Sequence, residues 1–303
     1  MALFGKGKAV LALGGGGSRG LAHLGVLKVL EEERIPIAGI VGTSVGAIVG
    51  AAYALRPDAN HHIQRTLDYL RSDRFMNDHF RRMMFGANDA EQNLLQVFVS
   101  GIRKSLSFTN LIRRPSIFSG EKLRCVVEEF VDDRGFDEVE IPFAVPAIDL
   151  RPPMEVLLAT GSLRDAVVAS CSLPGFFPPV ELDGMLLADV GVIGSVPVDA
   201  ARELVPGALV IAVNLTTELA EIASIDRGWD SILRCESIAS QKLNQLELEN
   251  TDVVLGPQIG EKYWSDFTEL ERMVRAGDEA AREQLPEIRS RLKGVMRFLR
   301  SKG

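Results

Sequence analysis

Short apolar runs separated by polar or glycine-rich links predict two strand–helix units at the start of the chain. The predicted strand over residues 8–13 contains the apolar run 9–13, and residues 37–41 hold no polar side chain, as expected for buried strands. The first run is followed by a helix over about residues 20–33, and the second by a small-residue helix over residues 44–55. Two such units joined by short links predict a parallel sheet with right-handed crossovers.

The rest of the chain continues this pattern after an interruption. Residues 56–118 break the rhythm, and we interpret them as a helical, cap-like insertion. The elements expected after it are helices over 120–131, 162–170 and 229–249, strands over 142–150, 154–159, 208–214 and 252–255, and a hairpin over 181–190 that turns at Asp183-Gly184. Residues 1–260 are thus expected to form one domain, and residues 261–303 a C-terminal helical tail.

The stretch of 21 residues from 35 to 55 carries no charged side chain and has the length of a membrane span. It contains one proline and four glycines, and it joins a strand-like pattern to a helix-like one. A buried strand, a turn and a helix therefore explain this stretch better than a membrane span does.

Composition and charge narrow the class of protein. Hydrophobic residues make up 46% of the chain and charged residues 25%, which is ordinary for a globular protein. The net charge of -7 argues against a nucleic-acid-binding protein. The three cysteines are widely spaced and odd in number, which favours a reducing compartment. The apolar run 9–13 is too short for a signal peptide, so a cytoplasmic location is expected.

Gly42-Thr43-Ser44-Val45-Gly46 fits the pattern G-x-S-x-G and lies between the second predicted strand and its helix. In this pattern the serine sits at the apex of a tight turn with its hydroxyl exposed, and the two glycines let the strand and helix backbones pass closely. The alternative is a glycine-rich helix start in which Ser44 is an ordinary cap. The position of Ser44 between a predicted strand and a predicted helix favours the interpretation as a nucleophile.

Segment 15–20, with the sequence GGGSRG, follows the first strand and contains G-x-G-x-x-G. A dinucleotide site would need an acidic residue at the end of the second strand, which instead ends in Gly42-Thr43. A phosphate-binding Walker loop would need Gly-Lys-Ser/Thr, which the chain lacks. With a serine nucleophile predicted at the next strand end, an oxyanion hole built from backbone N–H groups is the favoured interpretation.

A general base is harder to assign, because the histidines His23, His61, His62 and His79 all lie early in the chain. An α/β-hydrolase triad would place a histidine after the serine and the acid. His23 lies inside the first predicted helix, where a packed and hydrogen-bonded imidazole is the favoured interpretation. Asp189, at the end of an apolar strand, is the candidate base.

These segments resemble the patatin-like phospholipase family, specifically its compact bacterial members, over about residues 9–257. The resemblance rests on four ordered motif blocks. They are Gly15-Gly16-Gly17-Ser18-Arg19-Gly20 with AHLGVL at 22–27, Gly42-Thr43-Ser44-Val45-Gly46, ASCSLPGFFPP at 169–179, and Leu187-Ala188-Asp189-Val190-Gly191.

The resemblance implies a three-layer α/β/α fold with a mostly parallel central sheet. It further implies an acyl hydrolase with a Ser–Asp dyad, in which Ser44 is the nucleophile, Asp189 the base, and Gly15, Gly16 and Gly17 form the oxyanion hole. The residues that would support these motifs are Ser18, Arg19, Gly20, Gly42, Gly46 and Gly191. The expected substrate is a lipid or another acyl ester, with no metal ion or organic cofactor.

Several roles stay open at this point. Val190 stands where the family usually has glycine, and a positive φ there would strain a valine. Arg19 either binds a phosphate or braces the glycine loop, with bracing favoured. Phe176 and Phe177 either line an acyl pocket or pack in the core. A non-catalytic lipid or acyl-CoA binding module is the alternative function, against which the intact serine and aspartate argue.

The tail combines an apolar stripe with basic residues. After Glu287 no acidic residue occurs. Leu285, Ile288, Leu292, Val295, Met296 and Leu299 recur at helical spacing. Such a helix either lies on an anionic membrane as a peripheral contact or packs on the domain with its cations near the helix C-terminus, and packing is favoured.

Overall fold

The computed structural model of the chain describes residues 7–72, 116–216, 219, 221, 222, 224, 225, 228–259 and 270–300. The side chains of Ser18, Trp229, Leu233 and residues 294–300 lie outside this description. Most of the predicted cap lies outside it as well, including all of its methionines. The predictions made for those residues are not addressed by the structure.

The described elements begin with the two predicted strand–helix units and continue with a mixture of helices, strands and a hairpin. The strands are β1 (Ala9–Leu13), β2 (Ile37–Gly42), β3 (Phe143–Asp149), β4 (Met154–Leu158), β5 (Val180–Leu182), β6 (Met185–Ala188), β7 (Leu209–Val213) and β8 (Val253–Leu255). The helices are α1 (Leu21–Glu32), α2 (Val45–Leu55), α3 (Ala59–Arg71), α4 (Gly120–Glu128), α5 (Leu163–Ser170), α6 (Val198–Leu204), α7 (Gly228–Glu249) and α8 (Leu270–Arg300).

Local differences from the predicted elements have local causes. The first helix begins with a 3₁₀ turn, Gly17–Gly20, and becomes α-helical only at Leu21. Helix α6 is not predicted, because its seven residues give too little helical periodicity to recognise. The β5–β6 hairpin turns as expected, with positive φ at both Asp183 and Gly184, as a two-residue hairpin turn requires.

The central sheet is mostly parallel, which confirms the predicted fold class. Its strand order is β5-β6-β3-β2-β1-β7-β8, and β4 pairs with β3 off this path. The central pairs β3–β2, β2–β1, β1–β7 and β7–β8 are all parallel, whereas β4, β5 and β6 add antiparallel pairs at one side. Strand β1 is buried at every position because helices cover both faces of the sheet.

Two apolar cores separate the three layers of the fold. On one face Ala9, Leu11 and Leu13 of β1 pack in a large cluster with helices α1, α2, α3, α5 and α8. On the other face Val10 and Ala12 pack with α6. The uncharged stretch 35–55 forms β2 and α2, as predicted. Among the described helices none is long and apolar enough to cross a membrane.

Helix α8 packs on α1, which agrees with the predicted packing of the apolar stripe on the domain for its described side chains; the cations of its last turn lie outside the described side chains. Ile288 is fully buried and Leu292 is 7% exposed. The cations of α8 also bind the domain, since Arg282 pairs with Glu32 at 2.6 Å and Arg289 pairs with Glu33. These contacts turn the described part of the apolar stripe inward.

Two glycines allow the close approach of α8 to α1. A Cβ added at Gly25 would lie 1.9 Å from the Val274 carbonyl oxygen, and one added at Gly277 would lie 1.9 Å from the Ala22 carbonyl oxygen. Backbone atoms cannot move aside as the end of a side chain can. The close packing of the two helices therefore requires glycine at both positions.

We expect Gly277→Ala to destabilise the protein by about 2 kcal/mol, because the added methyl group overpacks the helix crossing. In a helix exposed to solvent the same change would stabilise by about 1 kcal/mol, so the sign identifies the cause. Thermal unfolding measures the effect. Gly256→Ala is the control, since nothing lies within 4 Å of a Cβ built there. An unchanged or raised melting temperature for Gly277→Ala would contradict the packing of α8 on α1.

Candidate active site

The carboxyl ends of β1 and β2 bring the two glycine-rich motifs side by side. The strands pair in parallel with Leu13 opposite Gly42, and the Thr43 N–H donates to the Leu13 carbonyl oxygen at 3.0 Å. A Cβ built on Gly15 would lie 3.5 Å from the Cβ of Ser44. The glycine loop after β1 therefore lies directly beside the serine after β2.

Ser44 occupies a strained turn between β2 and α2. Its φ of 54° and ψ of -121° lie outside the regions that an ordinary residue prefers. Glycine is required on both sides: a Cβ on Gly42 would lie 2.2 Å from the Gly46 carbonyl oxygen, and one on Gly46 would lie 2.2 Å from that of Leu13. The Ser44 N–H donates to Ser170 Oγ at 3.1 Å. This is the geometry that the G-x-S-x-G pattern predicts.

Asp189 follows β6 and lies against Ser44. Its N–H donates to the Ser172 carbonyl oxygen at 3.0 Å, which fixes the start of the turn. The Asp189 carboxylate is 3% exposed and accepts a hydrogen bond from the Gly191 N–H at 2.7 Å, and it lies close enough to Ser44 for the serine hydroxyl to favour its ionised form. Burial raises the pKa of Asp189 to about 6, against the lowering effect of the Gly191 N–H and the Ser44 hydroxyl.

Valine in the middle of the Asp-Val-Gly motif causes no backbone strain. Val190 opens a 3₁₀ turn, Val190–Val192, and does not have positive φ. Its side chain is buried. Glycine is favoured at the next position for a steric reason, because a Cβ on Gly191 would lie 3.0 Å from Asp189 Oδ1. The sequence concern about Val190 is therefore resolved in favour of an ordinary turn.

The glycine loop is held by its neighbours in a way that leaves part of its backbone free to bind a ligand. The Gly14 N–H donates to Val213 O at 3.1 Å, and the Gly15 N–H donates to Ser195 O at 2.9 Å. Within the described residues the N–H groups of Gly16 and Gly17 have no backbone carbonyl acceptor. The Gly15 amide is therefore already engaged, whereas those of Gly16 and Gly17 remain available.

Two side chains, one partly buried and one fully buried, brace this loop. Arg19 Nη1 donates to the Leu215 carbonyl oxygen at 2.9 Å, in agreement with the bracing role favoured from the sequence. His23 is fully buried and its Nε2 lies 2.8 Å from the Gly14 carbonyl oxygen. Burial lowers the pKa of His23 to about 4, so the ring is neutral at pH 7 and its Nε2–H donates to this carbonyl. His23 is thus a packed, hydrogen-bonded imidazole, as predicted.

The remaining motif residues serve packing. Gly20 is required by α2, because a Cβ there would lie 2.2 Å from Val45 Cγ2. Phe176 and Phe177 are buried beside Phe118, with ring centroids 6.5 Å and 5.7 Å from its ring, which agrees with the core-packing alternative. Ser18 lies in the 3₁₀ turn, and its side chain is outside the described part of the chain.

Sequence reasoning missed residues that contact the site from other parts of the chain. Ser170 supports the Ser44 turn, and the Cys171 Sγ donates to the Ser44 carbonyl oxygen at 3.2 Å. Both lie in the 169–179 block, but nothing in their type signals contact with Ser44. Asn244 of α7 binds the Ser195 segment, and no motif marks it. Among the described residues no group of three His, Cys, Asp or Glu side chains could hold a metal ion.

Comparison with known proteins identifies the family. The patatin-like phospholipase family model matches residues 11–202. The chain belongs to this family. An uncharacterized NTE family protein of Mycobacterium tuberculosis is 32% identical over 209 residues, covering 69% of this patatin-like chain and 49% of that protein. Patatin-like phospholipase domain-containing protein 6 of Homo sapiens is 30% identical over 226 residues, with coverages of 72% and 14%.

The patatin-like chain thus spans about half the length of the first relative and a small part of the second. Among solved structures, human GIVD cytosolic phospholipase A2 in complex with methyl gamma-linolenyl fluorophosphonate gives a TM-score of 0.50. It is 12% identical, and the match covers 96% of this chain and 59% of that one. This likeness concerns the fold alone.

Proposed function

We propose that the protein is a serine acyl hydrolase that cleaves carboxylic esters of lipids. Ser44 is the nucleophile and Asp189 the base in a two-residue dyad. The observation that carries this proposal is the proximity of a strained, turn-apex serine to a buried carboxylate whose pKa is raised to about 6 and responds to the serine hydroxyl. Family membership supports the choice of ester chemistry.

Acylation begins with proton transfer from Ser44 to Asp189. As Ser44 Oγ bonds to the ester carbonyl carbon, its proton passes to the Asp189 carboxylate, and the carbonyl π electrons move to oxygen. An ordinary aspartate is a poor base for a hydroxyl, and burial reduces that mismatch by raising its proton affinity. Collapse of the tetrahedral intermediate breaks the bond to the alcohol, which leaves with the proton from Asp189.

The oxyanion is stabilised by backbone N–H groups of the glycine loop. We assign this role to Gly16 and Gly17, whose amides lack a protein acceptor in the described residues, and a structural role to Gly15, whose amide is bonded to Ser195. Donors of this kind contribute about 3 kcal/mol each in comparable hydrolases. Water then attacks the acyl-Ser44 ester, giving its proton to Asp189, and the acid product leaves as Ser44 is restored.

The substrate and location follow as secondary proposals. Family membership supports a lipid ester as substrate. The cysteines Cys125, Cys171 and Cys235 are free, which supports work in a reducing compartment, the cytoplasm. Residues 1–260 and the tail 261–303 are proposed to act as one unit, because the described side chains of α8 pack on α1. A non-catalytic lipid or acyl-CoA binding module would have no use for a strained serine beside a buried carboxylate of raised pKa.

Peripheral contact with an anionic membrane is proposed only for exposed cations of α8, since its described apolar stripe faces inward. Arg291 and Lys293 are exposed and accessible to lipid head groups. Arg291→Gln with Lys293→Gln should weaken binding to phosphatidylserine-containing vesicles at low salt, because each cation near an anionic surface contributes about 1 kcal/mol. Vesicle sedimentation measures this. Equal binding by the wild type and the double variant would refute the contact.

Ser44→Ala should abolish hydrolysis of a soluble ester such as 4-nitrophenyl butyrate while leaving the fold intact, because the hydroxyl acts in chemistry. A fluorophosphonate should label Ser44 in the wild type, with the labelled peptide identified by mass spectrometry. Ser172→Ala is the matched control, since its hydroxyl is buried nearby but bonds only to the Val168 carbonyl oxygen at 2.8 Å. Labelling at another serine, or turnover by the alanine variant, would overturn the assignment.

Activity should depend on the ionisation of Asp189. The carboxylate accepts a proton only when ionised, so kcat/KM should rise with pH through about 6 and reach a plateau above it. Asp189→Asn should lower kcat by about 10²- to 10⁴-fold at pH 7.5.

The folding control uses the same raised pKa. The Asp189 carboxyl binds its proton more tightly in the folded protein than in the unfolded chain. Ionising it therefore lowers the free energy of unfolding progressively between about pH 4 and pH 6, and the loss is complete above that range. Asp189→Asn should therefore be at least as stable as the wild type at pH 7.5, with a smaller difference at pH 4. Wild-type activity that stays flat down to pH 4 would contradict Asp189 as the base.

A further inference from the structure

Helix α7 turns a row of polar side chains toward the site, while four of its apolar side chains face solvent. Ser240, Asn244 and Glu247 are spaced i, i+4 and i+7, and each bonds to the backbone of the segment after Asp189: Ser240 Oγ to Gly191 O at 3.5 Å, Asn244 to residues 195 and 196, and Glu247 to the Asp199 N–H at 3.1 Å. The exposed apolar residues are Ile232, Ile238, Leu243 and Leu246. Among the described side chains of this helix Leu248 packs against the apolar core, and the polar residues bind the domain through hydrogen bonds to backbone.

Asn244 makes the most extensive of these contacts. It is 3% exposed, and its Oδ1 accepts from the N–H groups of both Ser195 and Val196 at 3.0 Å. Because two backbone donors fix the oxygen side of the amide, Nδ2 must point the other way. It donates to Ser195 Oγ at 2.9 Å and to Thr216 Oγ1 at 3.4 Å. One amide thus joins the loop before α6 to the loop after β7.

Both of these loops hold the glycine loop. The Ser195 carbonyl oxygen, in the residue that Asn244 clamps, accepts from the Gly15 N–H at 2.9 Å. On the other side, the Leu215 carbonyl oxygen accepts from Arg19, and a Cβ on Gly16 would lie 2.9 Å from the Leu215 Cβ. The segment proposed to bind the oxyanion is therefore seated between the two loops that Asn244 connects.

We infer that Asn244 is a positioning residue for the oxyanion loop. It acts through Ser195 and the 214–216 loop, and it fixes where the Gly16 and Gly17 amides point. This inference rests on the proposed Ser44 chemistry. Asparagine suits the place because no other uncharged side chain of this length offers one oxygen to two adjacent amides and two N–H donors on the opposite side.

The role predicts a specific kinetic signature for Asn244→Leu, which keeps the approximate volume but leaves two backbone amides without an acceptor. A shift of the oxyanion donors weakens transition-state binding more than substrate binding. We expect kcat on 4-nitrophenyl butyrate to fall about 10- to 100-fold with little change in KM. A trifluoromethyl ketone with a linear acyl chain forms a tetrahedral adduct with the serine, and its inhibition constant should rise by the same factor as kcat falls.

Controls separate positioning from general damage. Gln245→Leu makes the same chemical change at the adjacent, exposed position of α7 and should leave kcat and ketone affinity unchanged. Ser195→Ala removes the side-chain contact but keeps both backbone N–H groups, so it should have a much smaller effect than Asn244→Leu. Thermal unfolding checks the fold of each variant. If Asn244→Leu does not fold, Asn244→Ala, which leaves room for water at the two amides, is measured in the same way.

The outcomes are distinct. A folded Asn244 variant with wild-type kcat, or one whose kcat falls without matching loss of ketone affinity, overturns the inference while leaving the proposed function standing. A wild type that neither hydrolyses the ester nor carries the fluorophosphonate on Ser44 removes the proposed function itself, and this inference with it. Parallel loss of kcat and ketone affinity, at constant KM, supports the positioning role.

Discussion

The parallel pairing of β1 with β2 is the constraint on which the site depends. The two strands stay in register to their last residues, with Leu13 opposite Gly42, and the bond from the Thr43 N–H to the Leu13 carbonyl oxygen continues the ladder one residue further. Because neighbouring parallel strands deliver their loops to the same edge of the sheet, the glycine loop and Ser44 must meet there. The contact needs no specific recognition between the two motifs beyond glycines small enough to allow it.

The site stores unfavourable local energy that the surrounding fold must offset. Ser44 is held at a positive φ, and Asp189 is ionised at neutral pH although it is 3% exposed. Strained backbone of this kind costs of order 1–3 kcal/mol. Rigid supports surround both residues: Ser170 holds the Ser44 amide, and Gly191 supplies a backbone donor to the carboxylate. Such strain holds the Ser44 and Asp189 side chains in place without any bound ligand.

Sequence patterns predicted the features that short stretches of chain determine. They missed the features that depend on which side of an element faces the rest of the fold. The strands, the glycine loop and the Ser44 turn are encoded in adjacent residues, so periodicity and glycine spacing find them. Helix α7 was found as a helix, but its pattern cannot tell that Asn244 faces the site while Leu243 and Leu246 face solvent. An apolar stripe normally faces the core of the protein. In α7 the polar side chains that bond to the backbone of residues 191–199 occupy the buried side instead.

The position of β7 has a consequence for the extent of the working unit. The family match ends at residue 202, whereas β7 begins at Leu209 and pairs with all five residues of β1. A fragment cut at the family boundary would keep Ser44 and Asp189 but would expose one side of β1 as a free sheet edge, made of five apolar residues with unpaired N–H and C=O groups. Such edges recruit other strands and promote aggregation. The strand that carries the glycine loop would then compete for intermolecular pairing before it could support any chemistry.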